Sequence, residues 1–201
     1  MGPYVEDMPR GFRFAPKERA FASNAVLGMV LFLLAELMFF TGLISAYLVL
    51  RSGAGVWPPP DQPRLPVEVT AVNTLLLLAS GVTMVLARGR ALRQGSSSYR
   101  GLLLATLALG AAFVAIQGFE WVRLIGYGLT THSSIYGGTF YLLIGVHALH
   151  VLGGLAVLAY VLRKTRGFLP VAGRGRWLTV AAMYWLFVVL LWPVLYGLVY
   201  F

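Results

Sequence analysis

Five long apolar runs decide what this chain can fold into. They occupy roughly residues 24–50, 68–87, 102–125, 134–162 and 178–201. Each has the ~20 residues that a helix needs to cross the hydrocarbon of a bilayer. In lipid, an unpaired backbone amide or carbonyl costs several kcal/mol, so each run must be helical. The fourth run is the longest and is expected to tilt or to extend past the hydrocarbon. Composition points the same way. The chain is 59% hydrophobic and 11% charged, where a soluble domain carries about a quarter charged residues. One globular core could not hide that much apolar surface. The reading is an all-α, polytopic membrane protein, a bundle of five transmembrane helices, with residues 1–201 forming a single transmembrane domain.

A net charge of +9 would point to nucleic acid in a soluble protein. The positions of the charges give a different reason here. Thirteen of the 16 basic residues lie in residues 1–23, between runs two and three, or between runs four and five. Only Arg51, Arg64 and Arg123 lie on the other side. The positive-inside rule then predicts the N-terminus inside and the C-terminus outside, as five crossings require. The charge therefore reads as topology with contact to anionic lipid, and no nucleic-acid partner is expected.

The first run is longer than a signal-peptide core, contains Glu36 and has no clear cleavage pattern after it, so it is expected to remain as an anchor. There is no cysteine, which excludes disulfides and thiolate metal sites. The connection "GAGVWPPPDQPRLP" is too rich in proline for helix and reads as a stiff, extended linker. No connection is large enough for a soluble catalytic domain. Trp57, Trp121 and Trp177 suit the membrane interface, whereas Trp185 and Trp192 lie deeper and suit packing. Gly81, beside Ala79 and Ser80, would allow another helix to approach closely, with no partner assignable from the sequence.

Ionisable residues at membrane depth are functional candidates by default. Glu36, Glu120, His147 and His150 are four such residues. At about 1.5 Å per residue, Glu36 and His150 both lie about 18 Å from the basic end, with His147 about 4–5 Å beyond and Glu120 near the opposite boundary. A haem held by two histidines needs them on opposite sides of its plane. His147 and His150 are three apart on one helix face and cannot supply that alone. Zinc or copper would need more ligands, and Glu36 is the one well-placed addition. A proton relay through Glu36, His150 and His147 has no obvious continuation toward the basic side beyond Ser23 and Asn24. Interhelical hydrogen bonding, worth about 0.6–2 kcal/mol per contact, asks least of the sequence. It pairs His150 with Glu36, with Gly153 and Gly154 allowing close approach. A desolvated carboxyl favours its neutral form, so a hydrophobic carbodiimide is expected to label Glu36 in preference to Glu6 and Asp7.

Five blocks taken together resemble subunit III of the haem–copper cytochrome c oxidases. They are "LFLLAELMFFTGLISAYLVLR" (31–51), "VNTLLLLASGVTMVLA" (72–87), "AIQGFEW" (115–121), "SIYGGTFYLLIGVHALHVLGG" (134–154) and "YWLFVVLLWPVLY" (184–196). Their order is right and they touch all five helices. The length resembles the short bacterial form, which lacks the first two of seven helices. The resemblance implies a non-redox subunit that packs on catalytic subunit I, meets subunit II and other respiratory-complex subunits, binds phospholipid, and supports proton uptake and aerobic electron transport. It implies no haem or copper in this chain, both lying in partner subunits, and a multi-pass location in the bacterial inner membrane. Glu36 matches the family's carbodiimide-reactive glutamate. Gln117 and Glu120 match its Q-x-x-E stretch, and His147 and His150 its H-x-x-H pair.

One departure stands out. The family's last helix usually reads Y-W-H-F-V-D-x-x-W, and here Leu186 and Val189 replace its histidine and aspartate. Pro193 follows and is expected to kink the helix unless local bonds compensate. The altered helix leaves open a subunit III-like role in a nitric oxide reductase or related complex. An independent transporter is a further alternative, although no internal repeat supports it.

Overall fold

A computed structural model describes residues 18–60, 62–93, 98–165 and 171–201, with side chains from residue 24 in the first helix and from 175 in the last. Arg10, Arg13, Lys17, Arg166, Glu6 and Asp7 lie outside the described residues. Among the described residues five helices follow one another: α1 (Glu18–Ser52), α2 (Val67–Ala91), α3 (Tyr99–Gly126), α4 (Ile135–Lys164) and α5 (Val171–Tyr200). Each contains a stretch long and apolar enough to cross a membrane. Among the described residues there is no strand.

The helix ends differ from the apolar runs in one consistent way. At the basic end every helix continues past its run, by two residues in α4 and by seven in α5. Helical hydrogen bonding does not need apolar side chains, so the polar turns simply continue the ladder. Basic residues in the last turns of α2 (Arg88, Arg90) and α4 (Arg163, Lys164) also face the negative end of the helix dipole. The basic ends are tied together: Arg88 Nε donates to Thr179 Oγ1 (3.1 Å), and Tyr99 Oη donates to the Thr165 carbonyl (3.4 Å). At the opposite end α3 ends at Gly126, and Gly128 in the turn that follows has a φ of +91°, which suits glycine. Ser134 then caps α4 by accepting the Gly137 amide at 3.1 Å. α5 remains helical through Pro193.

Trp185 of α5 sits at the centre with 0% exposure. Gly110 of α3 and Gly154 of α4 flank it so closely that a Cβ on either would lie 2.7 Å from the indole. Its Nε1 donates to Ser80 Oγ of α2 at 3.2 Å. One side chain thus touches three neighbouring helices. α2 and α3 meet through Thr83 and Thr106, whose hydroxyls are 2.8 Å apart. The close contact foreseen at Gly81 is with α5, where Val189 Cγ1 would lie 3.1 Å from an added Cβ.

α1 is peripheral. Most of it is exposed, and one stripe meets the bundle: Glu36, Phe40, Leu43, Tyr47 and Arg51. Their spacing of three or four residues is that of one helical face. Phe40 is buried with its ring edge-on to His150 at 5.0 Å. Tyr47 Oη donates to the Leu198 carbonyl at 3.2 Å.

Gly154→Ala is expected to lower the melting temperature of the purified protein, with a loss of on the order of 1–2 kcal/mol, because overpacking outweighs the gain in helix propensity. Gly42→Ala, with nothing within 4 Å of the added Cβ, should be neutral or mildly stabilising. Equal melting of the two variants, followed by circular dichroism in detergent, would contradict the wedge at Trp185.

Candidate functional site

The polar groups inside the membrane segments form two clusters. The first joins α1 to α4. His150 Nε2 lies 2.9 Å from Glu36 Oε2, and His150 Nδ1 lies 2.8 Å from the Val146 carbonyl oxygen one turn back. A carbonyl can only accept, so Nδ1 carries a hydrogen. Nε2 then either accepts from a protonated Glu36 or, with its own proton, donates to the carboxylate. In both cases one proton is shared along the 2.9 Å contact and the pair is neutral overall. Neutrality is what a low-dielectric setting favours. Each side chain is about a fifth exposed, 18% for His150 and 19% for Glu36. Tyr184 Oη of α5 donates to the His150 backbone carbonyl at 3.2 Å, bringing a third helix to the same level.

The second cluster lies nearer the end opposite the basic one. Gln117 Oε1 accepts from Asn73 Nδ2 at 3.4 Å, and Gln117 Nε2 donates to Tyr200 Oη at 3.1 Å. Asn73 Nδ2 also donates to the Phe113 carbonyl at 3.1 Å. These contacts stitch α2, α3 and α5. Glu120 is buried and pairs with Arg123 one turn on, at 3.1 Å. The charge of Glu120 is thus met within α3, and the guanidinium of Arg123 reaches outward with 46% exposure.

The structure gives the two histidines different surroundings. His147 is fully buried and stacks on Trp192 of α5, with ring centroids 5.1 Å apart and planes 29° from parallel. Neither ring nitrogen has a hydrogen-bond partner among the described residues. The ring borders a cavity of about 130 Å³ between α3, α4 and α5, with Phe113, Gln117, Trp121 and Leu152 among its walls. Glu36 and His150 come together, Gln117 and Glu120 lie elsewhere, and His147 joins neither. Among the described residues, no three His, Asp or Glu side chains converge.

Sequence reasoning missed a polar ladder on α2. Asn73, Thr74 and Ser80 are buried in the bundle and Thr83 is partly so. Trp192 Nε1 donates to Thr74 Oγ1 at 2.8 Å, and Tyr196 Oη donates to the Val67 carbonyl at 2.9 Å. The signal was present: positions 73, 80 and 83 fall seven and three apart, on one helical face.

Leu186 and Val189 now have a physical account. Both face Gly81 of α2, at 3.6 and 3.1 Å from where its Cβ would lie, and Val189 is buried. Apolar packing against a glycine occupies the place where the resemblance leads one to expect two polar groups. Beside Gly81 on α2, Ser80 receives the Trp185 N–H and Thr83 meets Thr106.

These features define a class: a multi-pass helical membrane protein in which Glu36, His150 and Glu120, at membrane depth, are engaged within and between its own helices. The chain belongs to the cytochrome c oxidase subunit III family, whose model matches residues 7–201. It is 38% identical over 178 residues to the probable cytochrome c oxidase subunit 3 of Mycobacterium leprae, covering 87% of this chain and 86% of that one. The cytochrome c oxidase subunit 3 proteins of Synechocystis sp. and Thermostichus vulcanus are 35% and 34% identical, each over 176 residues. Those matches cover 87% of this chain and 74% and 86% of the relatives.

Two substitutions separate the roles within the Glu36 pair. Glu36→Gln keeps a hydrogen-bonding group against His150 Nε2 and is expected to leave folding intact. His150→Leu removes the partner and leaves a carboxyl in the membrane unpaired, at a cost of on the order of 1–2 kcal/mol. Melting of the two variants side by side checks this, and equal loss in both would contradict it.

Proposed function

We propose that this chain is an accessory, non-redox subunit of a respiratory haem–copper terminal oxidase in a bacterial inner membrane. Its helices stabilise catalytic subunit I, meet subunit II, bind structural phospholipid, and support proton uptake during aerobic electron transport. Haem and copper belong to the partner subunits. The observation that carries this reading is membership of the oxidase subunit III family along nearly the whole chain. The engagement of Glu36, Glu120, Gln117 and His150 in contacts within the bundle supports a structural role for these residues. A shared proton between Glu36 and His150 supplies a titratable pair at mid-membrane depth, and that is the feature of this chain best suited to a proton-linked role. In this reading the end bearing Arg88, Arg90, Arg163 and Lys164 faces the cytoplasm.

The changes at Leu186 and Val189 motivate the nitric oxide reductase alternative. Their contacts with Gly81 account for them inside the chain, and the relatives quoted are named as cytochrome c oxidase subunits. The oxidase is therefore the preferred complex.

Tagging this chain, purifying it in mild detergent and analysing the metals that accompany it tests the proposal. Haem together with copper is the expected result. Haem and iron without copper would move the chain to the nitric oxide reductase group. Isolation without any partner would overturn both, and flux through liposomes containing the chain alone would then test a transporter.

A further inference from the structure

At the end of the bundle opposite the basic one, side-chain donors wall a cavity of about 560 Å³. It lies among the end of α1, the proline-rich connection and the end of α5, and its walls include Arg51, Trp57, Gln62, Arg64 and Tyr136. A second cavity, of about 360 Å³, adjoins it. That one is lined by Val49, Leu50, Gly53, Ala54 and Ile135, with Trp57 and Pro59 common to both.

The three arginines at this end differ in what they meet. Arg123 pairs with Glu120. Arg51 is aimed by hydrogen bonds from Nη1 to the Leu198 carbonyl (2.8 Å) and from Nη2 to the Phe201 carbonyl (2.9 Å). Arg64 is exposed on the connection and, among the described residues, meets neither an acceptor nor a carboxylate. Glu68, exposed in the first turn of α2, reaches neither Arg51 nor Arg64. Tyr136 is 4% exposed, and neither its hydroxyl nor Trp57 Nε1 makes a hydrogen bond among the described residues. The Trp57 ring is held edge-on between Tyr47 and Tyr136, at 5.8 and 5.2 Å. Two guanidinium groups, a phenol and an indole thus border one space, with no acidic side chain among the described residues lining it.

We propose that this cavity receives an aspartate or glutamate side chain from an extramembrane segment of a partner subunit, and that the adjoining cavity takes an apolar side chain beside it. The inference rests on the reading of this chain as one subunit of a larger complex, and it names one contact of that assembly. A carboxylate only accepts hydrogen bonds, and its planar pair of oxygens matches a guanidinium fork. Two arginines with no acid between them favour an acidic partner and repel a basic one. Trp, Tyr and Arg carry much of the binding energy at protein interfaces, and Trp57, Tyr136, Arg51 and Arg64 line this one space. Arg64 lies in the connection between Ser52 and Val67, beyond both helices, where a soluble segment of a partner can reach it. Pro58, Pro59 and Pro60 fix φ along one wall, so little order is lost when a partner docks.

Both lysines of the chain, Lys17 and Lys164, belong to its basic segments, so Arg64→Lys places a single lysine at this end. The test treats the whole purified complex carrying Arg64→Lys with a water-soluble carbodiimide. The reagent joins the lysine amine to a touching carboxyl as an amide and takes up the water lost, becoming a urea. Mass spectrometry of the digested product is expected to find the introduced lysine linked to an aspartate or glutamate of another subunit. Arg64→Glu is expected to weaken retention of that subunit by about tenfold on dilution in detergent, with recovery when the linked acid is changed to arginine. An intact complex in which the introduced lysine forms no link, or links only to Asp61 or Glu68 of its own chain, would overturn the docking and leave the subunit role standing. Loss of phospholipid from Arg64→Glu with every subunit retained would give the cavity to a headgroup and overturn the carboxylate. A wild-type chain that isolates alone would overturn the subunit role and this contact together.

Discussion

The bundle depends on how closely α5 can approach three other helices around Trp185. Lipid tails are as apolar as leucine, so burying apolar side chains supplies little drive for helices to associate in a membrane. Association rests on dispersion at short range and on hydrogen bonds. Trp185 supplies both: its ring fills the space left by Gly110 and Gly154, and its N–H finds Ser80. Seven residues on, Trp192 repeats the arrangement, donating to Thr74, meeting Phe113 edge-on at 5.0 Å and stacking on His147. Tyr196 then reaches the Val67 carbonyl. The donors at 185, 192 and 196 meet acceptors at 80, 74 and 67, a descending order that fixes α5 antiparallel to α2 in one register. An aromatic with a polar tip suits this task, because it contributes a large contact area and one directional bond.

α1 is held differently. It buries little, so its attachment leans on a few specific contacts along one stripe. Glu36 meets α4, Phe40 fills the gap beside His150, and Tyr47 and Arg51 reach backbone carbonyls at the end of α5. A carboxyl at mid-membrane depth would be costly alone. The ring of His150, itself aimed by the Val146 carbonyl, turns it into a neutral pair that fixes the height and rotation of α1. The same pair that makes Glu36 tolerable also makes it informative, since one proton is held between two groups that differ in charge according to where it sits.

How far the sequence could be read depended on the kind of interaction. The five helices were legible because spanning length is set by the bilayer. The extra turns at the basic end were not, because backbone hydrogen bonding continues where hydropathy has already fallen. The meeting of Glu36 with His150 was legible by counting residues from the same membrane face, since depth is one-dimensional. Rotation is not, and so the separate surroundings of His147 and the partner of Gly81 could not be assigned. Ser80, Thr74 and Thr83 were overlooked for a related reason. Small hydroxyls can return a hydrogen bond to their own helix, as Thr74 does to the Thr70 carbonyl at 2.7 Å, and in an apolar run they look neutral until an aromatic partner is known.

The altered last helix illustrates what such a bundle can exchange. A polar pair between membrane helices is costly to break singly, because the remaining partner stays desolvated. Where neither side of a contact carries a polar group the penalty does not arise, provided the space is filled. Leu186 and Val189 meet that condition, since they pack on Gly81, which has no side chain to displace. Trp185 and Trp192 on either side hydrogen-bond to α2, so the register of α5 does not depend on polar groups at positions 186 and 189. The Glu36–His150 contact joins α1 to α4 and shares none of these side chains. Divergence at the α2–α5 contact is therefore separable from the titratable pair on α1 and α4, and a change in one need not entail a change in the other.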